Sequence, residues 1–377
     1  METFYRGGSV PVFCNVLHAD SETARRSPTG VIRLGYCRSC GHVHNIAFDP
    51  DLVSYGPGYE NSLDFSPSFR DYMRMLAADL VERHGLRGKD IVEIGCGRGE
   101  FLRELCEAAG SRGVGFDPSL MEDVAPPAGV TLLRDLYSAS YSDVRADFVC
   151  SRHMLEQLPD PRNFVEQLRE VLGGRGHVRF FFEVPNGAFV FSELSLWDVI
   201  YEHVSLFTGP SLARLFEISG FAVSRLFTSF SGRFLCVEAS LGGASGGRLA
   251  YIENSPEAPG AEDVGAFAAR CAGKLTGWNR HLALWIEKRT RIVVWGAGSK
   301  GIMFVNLVED PGAVAALVDI NPRKQGLFAP GTGHRILSPE ELPALRPDVV
   351  LVMNRVYEHE IGEGLAGQGL WPELLVA

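Results

Sequence analysis

The sequence predicts an α/β protein that carries two doubly wound parallel sheets in one chain. Two observations predict it. The segments "DIVEIGCGRGEFLRELCEAAG" and "RIVVWGAGSKGIMFVNLV", some 200 residues apart, each read as strand, glycine-rich turn and helix. After each of them short β-branched runs continue to alternate with helical stretches of about 10–15 residues, a pattern that requires a parallel sheet covered on both faces.

Composition bounds the rest. A chain of 377 residues is long enough for two or three cores, and 46% hydrophobic with 22% charged residues is ordinary for soluble protein. No apolar run reaches the roughly 18 residues of a membrane span. A formal net charge of −10 argues against a nucleic-acid partner, which needs a concentrated basic surface. The N-terminus "METFYRGGSVPVF" lacks the long apolar region of a signal peptide, so the expected compartment is the cytoplasm, and the eight cysteines are then expected as reduced thiols.

Taken in order, residues 1–64 read as a small irregular lobe of turn residues and short apolar pieces around "CRSC". Residues 65–242 read as the first α/β domain. A helix from Phe65 to Gly85 leads into "DIVEIGCG"; "RGVGFDPS", "GVTLLRD", "ADFVCS" and "HVRFFFEV" supply further strands, and "PRNFVEQLREVLG" a helix. "FAVSRLFTSFSGRFLCVEAS" reads as an antiparallel hairpin at the sheet edge. Residues 243–377 begin inside the linker "LGGASGG", pass through a helix from about Ala261 to Arg289, and continue as the second α/β domain, with strands at "VAALVDINP" and "PDVVLVMN".

The first glycine loop places Gly95, Gly97 and Gly99 between strand and helix, with Glu93 just before and Asp117 ending the next strand. Glycines there let a backbone approach a ligand closely, and an acid about 20 residues on can accept hydrogen bonds from a ribose diol. The second loop holds Gly296, Gly298 and Gly301, with Asp319 ending the next strand. Alone it reads as a dinucleotide fingerprint, while Lys300 inside it adds a charge suited to a phosphate; use of the fold without any ligand also stays open. Cys37-x-x-Cys40 is half of a structural zinc site, for which Cys14, His18, His42 and His44 are the remaining candidates. The other reading is a pair of reduced cysteines in a turn.

"EIGCGRGEF" followed by "GFDPS" resembles the class I S-adenosylmethionine methyltransferases more than the dehydrogenases. That resemblance implies that Gly95, Gly97 and Gly99, with Glu93, line the methionine side of the cofactor, and that Asp117 holds the ribose hydroxyls. It also implies that Asp135 approaches the adenine and that Ser151, Arg152 and His153 close over the methyl donor. The whole chain, with a Cys-bearing lobe, "EVPN" ending at Asn186, "IYEHVSLFT" and a C-terminal "GAGSKG" domain, resembles the three-domain C-methyltransferases that act on nucleotide-linked keto-deoxysugars. In that family a His of this segment is the proposed base, the Glu before it gives support, the C-terminal domain helps hold the nucleotide and the lobe binds zinc. By this resemblance His203 is the base and Glu202 its partner, with Tyr201 or Tyr59 as donors to an enolate oxygen. Tyr59, Gln157, Asn186, Gly296, Gly298, Lys300 and Asp319 would bind the substrate, and Cys14, His18, Cys37 and Cys40 the metal.

A base is chemically necessary for such a reaction, because a sugar carbon becomes a nucleophile only when a proton beside a ketone is removed. A histidine of ordinary pKa is largely neutral at neutral pH and can take it. The chain departs from the family in three places: Tyr201 directly precedes Glu202, Gln157 stands where a His is usual, and "VFCNVLH" replaces the first Cys-x-x-Cys. Gln157 cannot titrate, so one proton-handling group is missing. Three rivals follow: methylation of an oxygen or nitrogen of a small natural-product intermediate, an NAD-linked oxidoreductase using the second loop, and a non-catalytic binding protein.

Overall fold

A computed structural model describes residues 1–56, 58–121, 126, 128–242, 252–253 and 260–377. Most of the predicted linker "LGGASGG" lies outside these residues.

The N-terminal segment is a sheet, not the irregular lobe that its composition suggests. β1 (Glu2–Pro11) and β2 (Thr29–Tyr36) pair antiparallel around a short helix α1 (Ser21–Arg25), and β3 (Val43–Asn45) adds to β2. Register shifts between Thr3 and Tyr5 and between Arg6 and Gly8 break the in-out alternation that would have revealed β1.

Helix α2 (Pro67–His84) starts where the hydroxyl of Ser66 accepts from the Phe69 amide at 3.3 Å, with proline in the first turn, and stops at Gly85, whose φ is 60°. β4 (Asp90–Ile94), α3 (Glu100–Ala109), β5 (Arg112–Phe116), β6 (Val130–Leu133), β7 (Phe148–Arg152), α4 (Pro161–Leu172) and β8 (Arg179–Pro185) then lie where their patterns predict. They are followed by α5 (Gly187–Ser192), β9 (Ser205–Leu206), α6 (Gly209–Ile218) and the hairpin β10 (Phe221–Ser229) and β11 (Phe234–Leu241). With β12 (Ile252–Glu253), the sheet order is β12-β10-β11-β8-β7-β4-β5-β6. Pairing is parallel from β8 to β6, and β11 lies antiparallel between β8 and β10. This is the Rossmann-like sheet of the class I methyltransferase fold, with the predicted hairpin at its edge.

β9 belongs elsewhere. Val43 pairs with Leu206 and His44 with Ser205, so the segment that carries Glu202 and His203 is stitched to the N-terminal sheet.

The C-terminal domain begins with α7 (Ala261–Glu287). It continues through β13 (Ile292–Trp295), α8 (Ser299–Leu307), β14 (Val314–Val318), β15 (Ile336–Leu337), α9 (Leu342–Leu345), β16 (Val349–Val352), α10 (Glu358–Gly367) and β17 (Glu373–Val376). Its sheet, β15-β14-β13-β16-β17, is parallel throughout. A second Rossmann-like unit is therefore present, as predicted.

One apolar core joins the three parts. Val12 and Leu34 of the lobe, Trp197 and Tyr201 before β9, Phe267 of α7 and Phe304 of α8 are buried in a single cluster, with the Trp197 and Phe304 rings 4.9 Å apart. Polar ties add to it: His18 and Phe328 exchange backbone hydrogen bonds, and Glu360 of α10 accepts from the hydroxyls of Ser66 and Ser68 at the start of α2. Among the described residues no helix is long and apolar enough to cross a membrane.

Candidate active site

Two cavities meet where the three parts join. One, of about 510 Å³, opens at the first glycine loop and is lined by Glu93, Gly95, Gly97, Asp117, Asp135 and Arg152 among others. The other, of about 310 Å³, lies between the first α/β domain, the lobe and the second glycine loop, and is lined by His203, Glu156, Asn186, Gly296, Lys300 and Asp319 among others. Tyr59, Asn61, Ser62, Leu63, His153 and Gln157 line both, so one wall separates a cofactor-sized space from a substrate-sized one.

The two glycine loops are held by the same device. Asp117 Oδ2 accepts from the Gly97 amide at 2.8 Å, and its Oδ1 from the amide and hydroxyl of Ser119 at 2.8 and 2.6 Å. Asp319 Oδ2 accepts from the Ala297 amide at 2.9 Å and its Oδ1 from the Asn321 amide at 2.8 Å. Under the second loop the ammonium of Lys324, 2% exposed, donates to the Ala297 carbonyl at 3.2 Å. Lys300, expected to meet a phosphate, instead puts its ammonium 2.6 Å from Asp198 Oδ2. Its charge is thereby largely neutralised. Another cation lining the cavity is Arg233, whose Nε is buried without a hydrogen-bond partner and whose guanidinium lies 4.7 Å from the Phe189 ring centre.

Glu202 and His203, adjacent in sequence, diverge in space. Glu202 turns into the lobe, where its Oε2 accepts from the Cys14 amide at 2.8 Å and its carboxyl faces Tyr59; burial pushes its pKa up to about 7. His203 turns into the smaller cavity. Burial pulls its pKa down to about 4, with nearby Asp198 opposing that shift, so the ring is neutral at neutral pH. Its Nε2 lies 3.9 Å from Oε1 of Glu156, a residue the sequence reading did not single out. Tyr201 lines neither cavity, because its hydroxyl is engaged with the backbone of Asp49, accepting from the amide at 2.8 Å. Tyr59 does stand on the common wall, with its hydroxyl beside Asn15 and Glu202, and desolvation raises its pKa.

Arg152 and His153 sit at the end of β7 and meet Glu183 of β8. Arg152 Nε donates to Glu183 Oε1 at 2.9 Å, His153 Nε2 lies 3.1 Å from the same oxygen, and the Tyr72 hydroxyl donates to Oε2. These partners hold the Glu183 carboxyl below the ordinary range despite full burial. His153 adopts a φ of 53°, the left-handed region, which turns its ring onto the wall between the cavities. Ser151 is buried in β7 and lines neither cavity. Gln157 donates to the His153 carbonyl at 2.9 Å, and Asn186 caps α5 while donating to the Gly232 carbonyl at 2.8 Å.

The four expected metal ligands do not converge. Cys14 is buried beside Glu202, His18 Nε2 lies 2.8 Å from the Ser27 hydroxyl, and Cys37 and Cys40 contact one another across their turn. Among the described residues no group of three or more His, Cys, Asp or Glu is placed to hold a metal ion.

Comparison with known proteins agrees with the sheet and the loops. Residues 69–226 match a family described as a methyltransferase domain, and residues 252–371 match a C-methyltransferase C-terminal domain. The chain is a class I S-adenosylmethionine-dependent methyltransferase. It is 27% identical to the C-methyltransferase NovU of Streptomyces niveus, over 94% of this chain and 87% of that one. It is also 27% identical to a ubiquinone biosynthesis O-methyltransferase of Aromatoleum aromaticum, but over only 45% of this chain and 78% of the relative. Among solved structures, a 1,6-didemethyltoxoflavin-N1-methyltransferase of Burkholderia thailandensis aligns with a TM-score of 0.36 at 16% identity, over 47% of this chain and 82% of that one.

The larger cavity of this methyltransferase fits S-adenosylmethionine. Gly95, Gly97 and Gly99 all have positive φ, and a Cβ on Gly95 would sit 2.9 Å from Met154, so the loop admits no side chain there. Oε2 of Glu93 is buried without a partner, an unsatisfied acceptor beside the loop that a ligand donor can fill. Asp117 and Asp135 stand at the ends of adjacent strands, and Phe116, Leu136 and Tyr137 supply an apolar wall for a purine. The functional candidates missed from sequence are Glu156, Arg233 and Lys324. Glu156 directly precedes Gln157, which sequence analysis did single out.

Proposed function

We propose that the methyltransferase places a methyl group on a carbon beside the ketone of a nucleotide-linked deoxysugar, and that His203 removes the proton from that carbon. The observation that carries this reading is the neutral imidazole of His203 on the wall of a cavity adjoining the cofactor space. A neutral ring has the lone pair a general base needs. Similarity to a C-methyltransferase along nearly the full length of both chains supports carbon as the acceptor.

When bound, S-adenosylmethionine supplies an electrophilic methyl group. Glu93, Asp117 and Asp135 would hold it through its amino acid and nucleoside ends, with Gly95 and Gly97 giving it close approach to the backbone. The chain's own residues do the remainder. The wall formed by Tyr59, His153 and Gln157 limits what passes between the cavities, and the Tyr59 hydroxyl is the candidate donor to the enolate oxygen. At the far end Gly296, Gly298 and Asp319 would take the nucleoside, and Arg233 the diphosphate, the task expected of Lys300 before its pairing with Asp198 was seen.

The test is solvent exchange. In deuterated water without methyl donor, a nucleotide-linked keto sugar should gain deuterium at the acceptor carbon, and His203→Gln should slow this by about 10²-fold or more. The affinity for S-adenosylhomocysteine should stay unchanged in the variant. Exchange at the wild-type rate in His203→Gln would remove the histidine from the role of base.

A further inference from the structure

Glu156 is 1% exposed, yet both of its carboxyl oxygens are buried without a hydrogen-bond partner. A buried carboxyl is ordinarily satisfied several times over, as Glu183 is a few residues' width away, so an orphaned one needs an explanation. It lies in the turn after β7, lines the smaller cavity, and has its Oε1 3.9 Å from His203 Nε2. The ring hydrogen-bonds to the Asp198 backbone and its other nitrogen, Nδ1, is buried, which leaves Nε2 as the nitrogen beside Glu156. An orphaned carboxyl therefore stands beside the ring nitrogen that is free to take a proton.

We propose that Glu156 and His203 form a single proton-accepting pair for the reaction proposed above, with Glu156 as the group on which the substrate proton comes to rest. The inference rests on that reading of the function. The balance is simple. The C–H bond of the substrate breaks and its electron pair stays behind as the enolate; the proton bonds to Nε2 of the ring and passes from there to Oε1 of Glu156. The ring ends neutral, Glu156 ends protonated, and the negative charge has moved from the carboxylate to the substrate. No co-reactant is needed.

The surroundings favour this direction. Burial, reinforced by the nearby Glu183 carboxylate, pushes the Glu156 pKa up to about 8, whereas burial pulls that of His203 down to about 4. The carboxylate therefore holds a proton more firmly than the ring does. The other ionisable groups facing the pair are Asp198, which favours the imidazolium, His153, which disfavours it, and Tyr55, whose phenol stands near both Glu156 and Glu202. Gln157, the next residue in the chain, does not titrate and is occupied with the His153 carbonyl.

A titration that needs no substrate tests the pair. In the whole protein with ¹⁵N-labelled histidine, the His203 ring signals should shift with a midpoint near pH 8 as Glu156 takes up a proton, and that step should vanish in Glu156→Gln. Absence of the step in the wild type, or its persistence in Glu156→Gln, overturns the pairing. The deuterium exchange of the preceding section gives the kinetic arm: Glu156→Gln should lose about 10²-fold or more, Glu156→Asp should recover part of it, and the wild-type exchange rate should rise with pH through the same midpoint. A pH-independent exchange rate, or full exchange in Glu156→Gln, also overturns it. A wild type that exchanges no deuterium with any keto sugar would fail the functional reading instead, and the titration would still decide the pair.

Discussion

The imidazole of His203 faces the interdomain cavity while the carboxyl of Glu202, one residue earlier, points into the lobe toward Cys14 and Tyr59. Adjacency in sequence suggested that the two act together, but consecutive side chains in a non-helical turn are not obliged to share a side. Glu202 is thus placed to support the lobe, and that role carries a pH signature. Its pKa in the folded chain, about 7, lies above the ordinary carboxylate value, so the folded state holds a proton that the unfolded state has lost. The stabilisation is full below the unfolded pKa and is lost as pH rises through the folded one. Urea unfolding should therefore show the wild type losing on the order of 1–3 kcal/mol relative to Glu202→Gln between about pH 5 and about pH 8, the amide retaining an acceptor for the Cys14 N–H. Parallel pH profiles for the two proteins would show that the carboxyl ionises normally. Glu156 was illegible for a related reason: a lone acid in a short turn reads as a solvated group, and only three-dimensional burial exposes it.

Among the elements, the glycine loops were legible because everything that defines them is local: strand, turn, helix and an acid at the end of the next strand. The second loop shows how tightly such units close. A Cβ on Gly301 would fall 1.9 Å from the Gly296 carbonyl oxygen, a backbone atom that cannot rotate away. Gly301→Ala should push α8 off the loop and cost about 1–3 kcal/mol or more, seen as a lower thermal midpoint, while an alanine at Gly298, where no atom lies within 4 Å, should be tolerated. Equal stability of the two variants would contradict this packing. The N-terminal sheet was not legible, because its bulged first strand loses the period of two and its closing strand, β9, comes from a distant part of the chain. Nor did the sequence indicate that Lys300 would be claimed by Asp198, a contact that arises only when α8 meets the segment before β9.

At the scale of the whole molecule, the shared core makes the lobe, the first sheet and the second sheet one object, and the smaller cavity exists only because all three contribute to it. The larger cavity belongs to the first domain and the opening helix and lobe, which is why the glycine loop and acids that line it stand out in the sequence while the walls of the smaller cavity do not. Under the proposed function, one Rossmann-like unit would serve the methyl donor and the second the nucleotide of the acceptor. The measurement that tests this most directly is to supply S-adenosylmethionine with a ¹³C-labelled methyl group, together with nucleotide-linked keto sugars, and to locate the label in the product by NMR. The account predicts a labelled methyl bonded to a sugar carbon adjacent to the ketone. A labelled methyl on oxygen or nitrogen, or no transfer to any such sugar from a protein that binds S-adenosylhomocysteine, would contradict it.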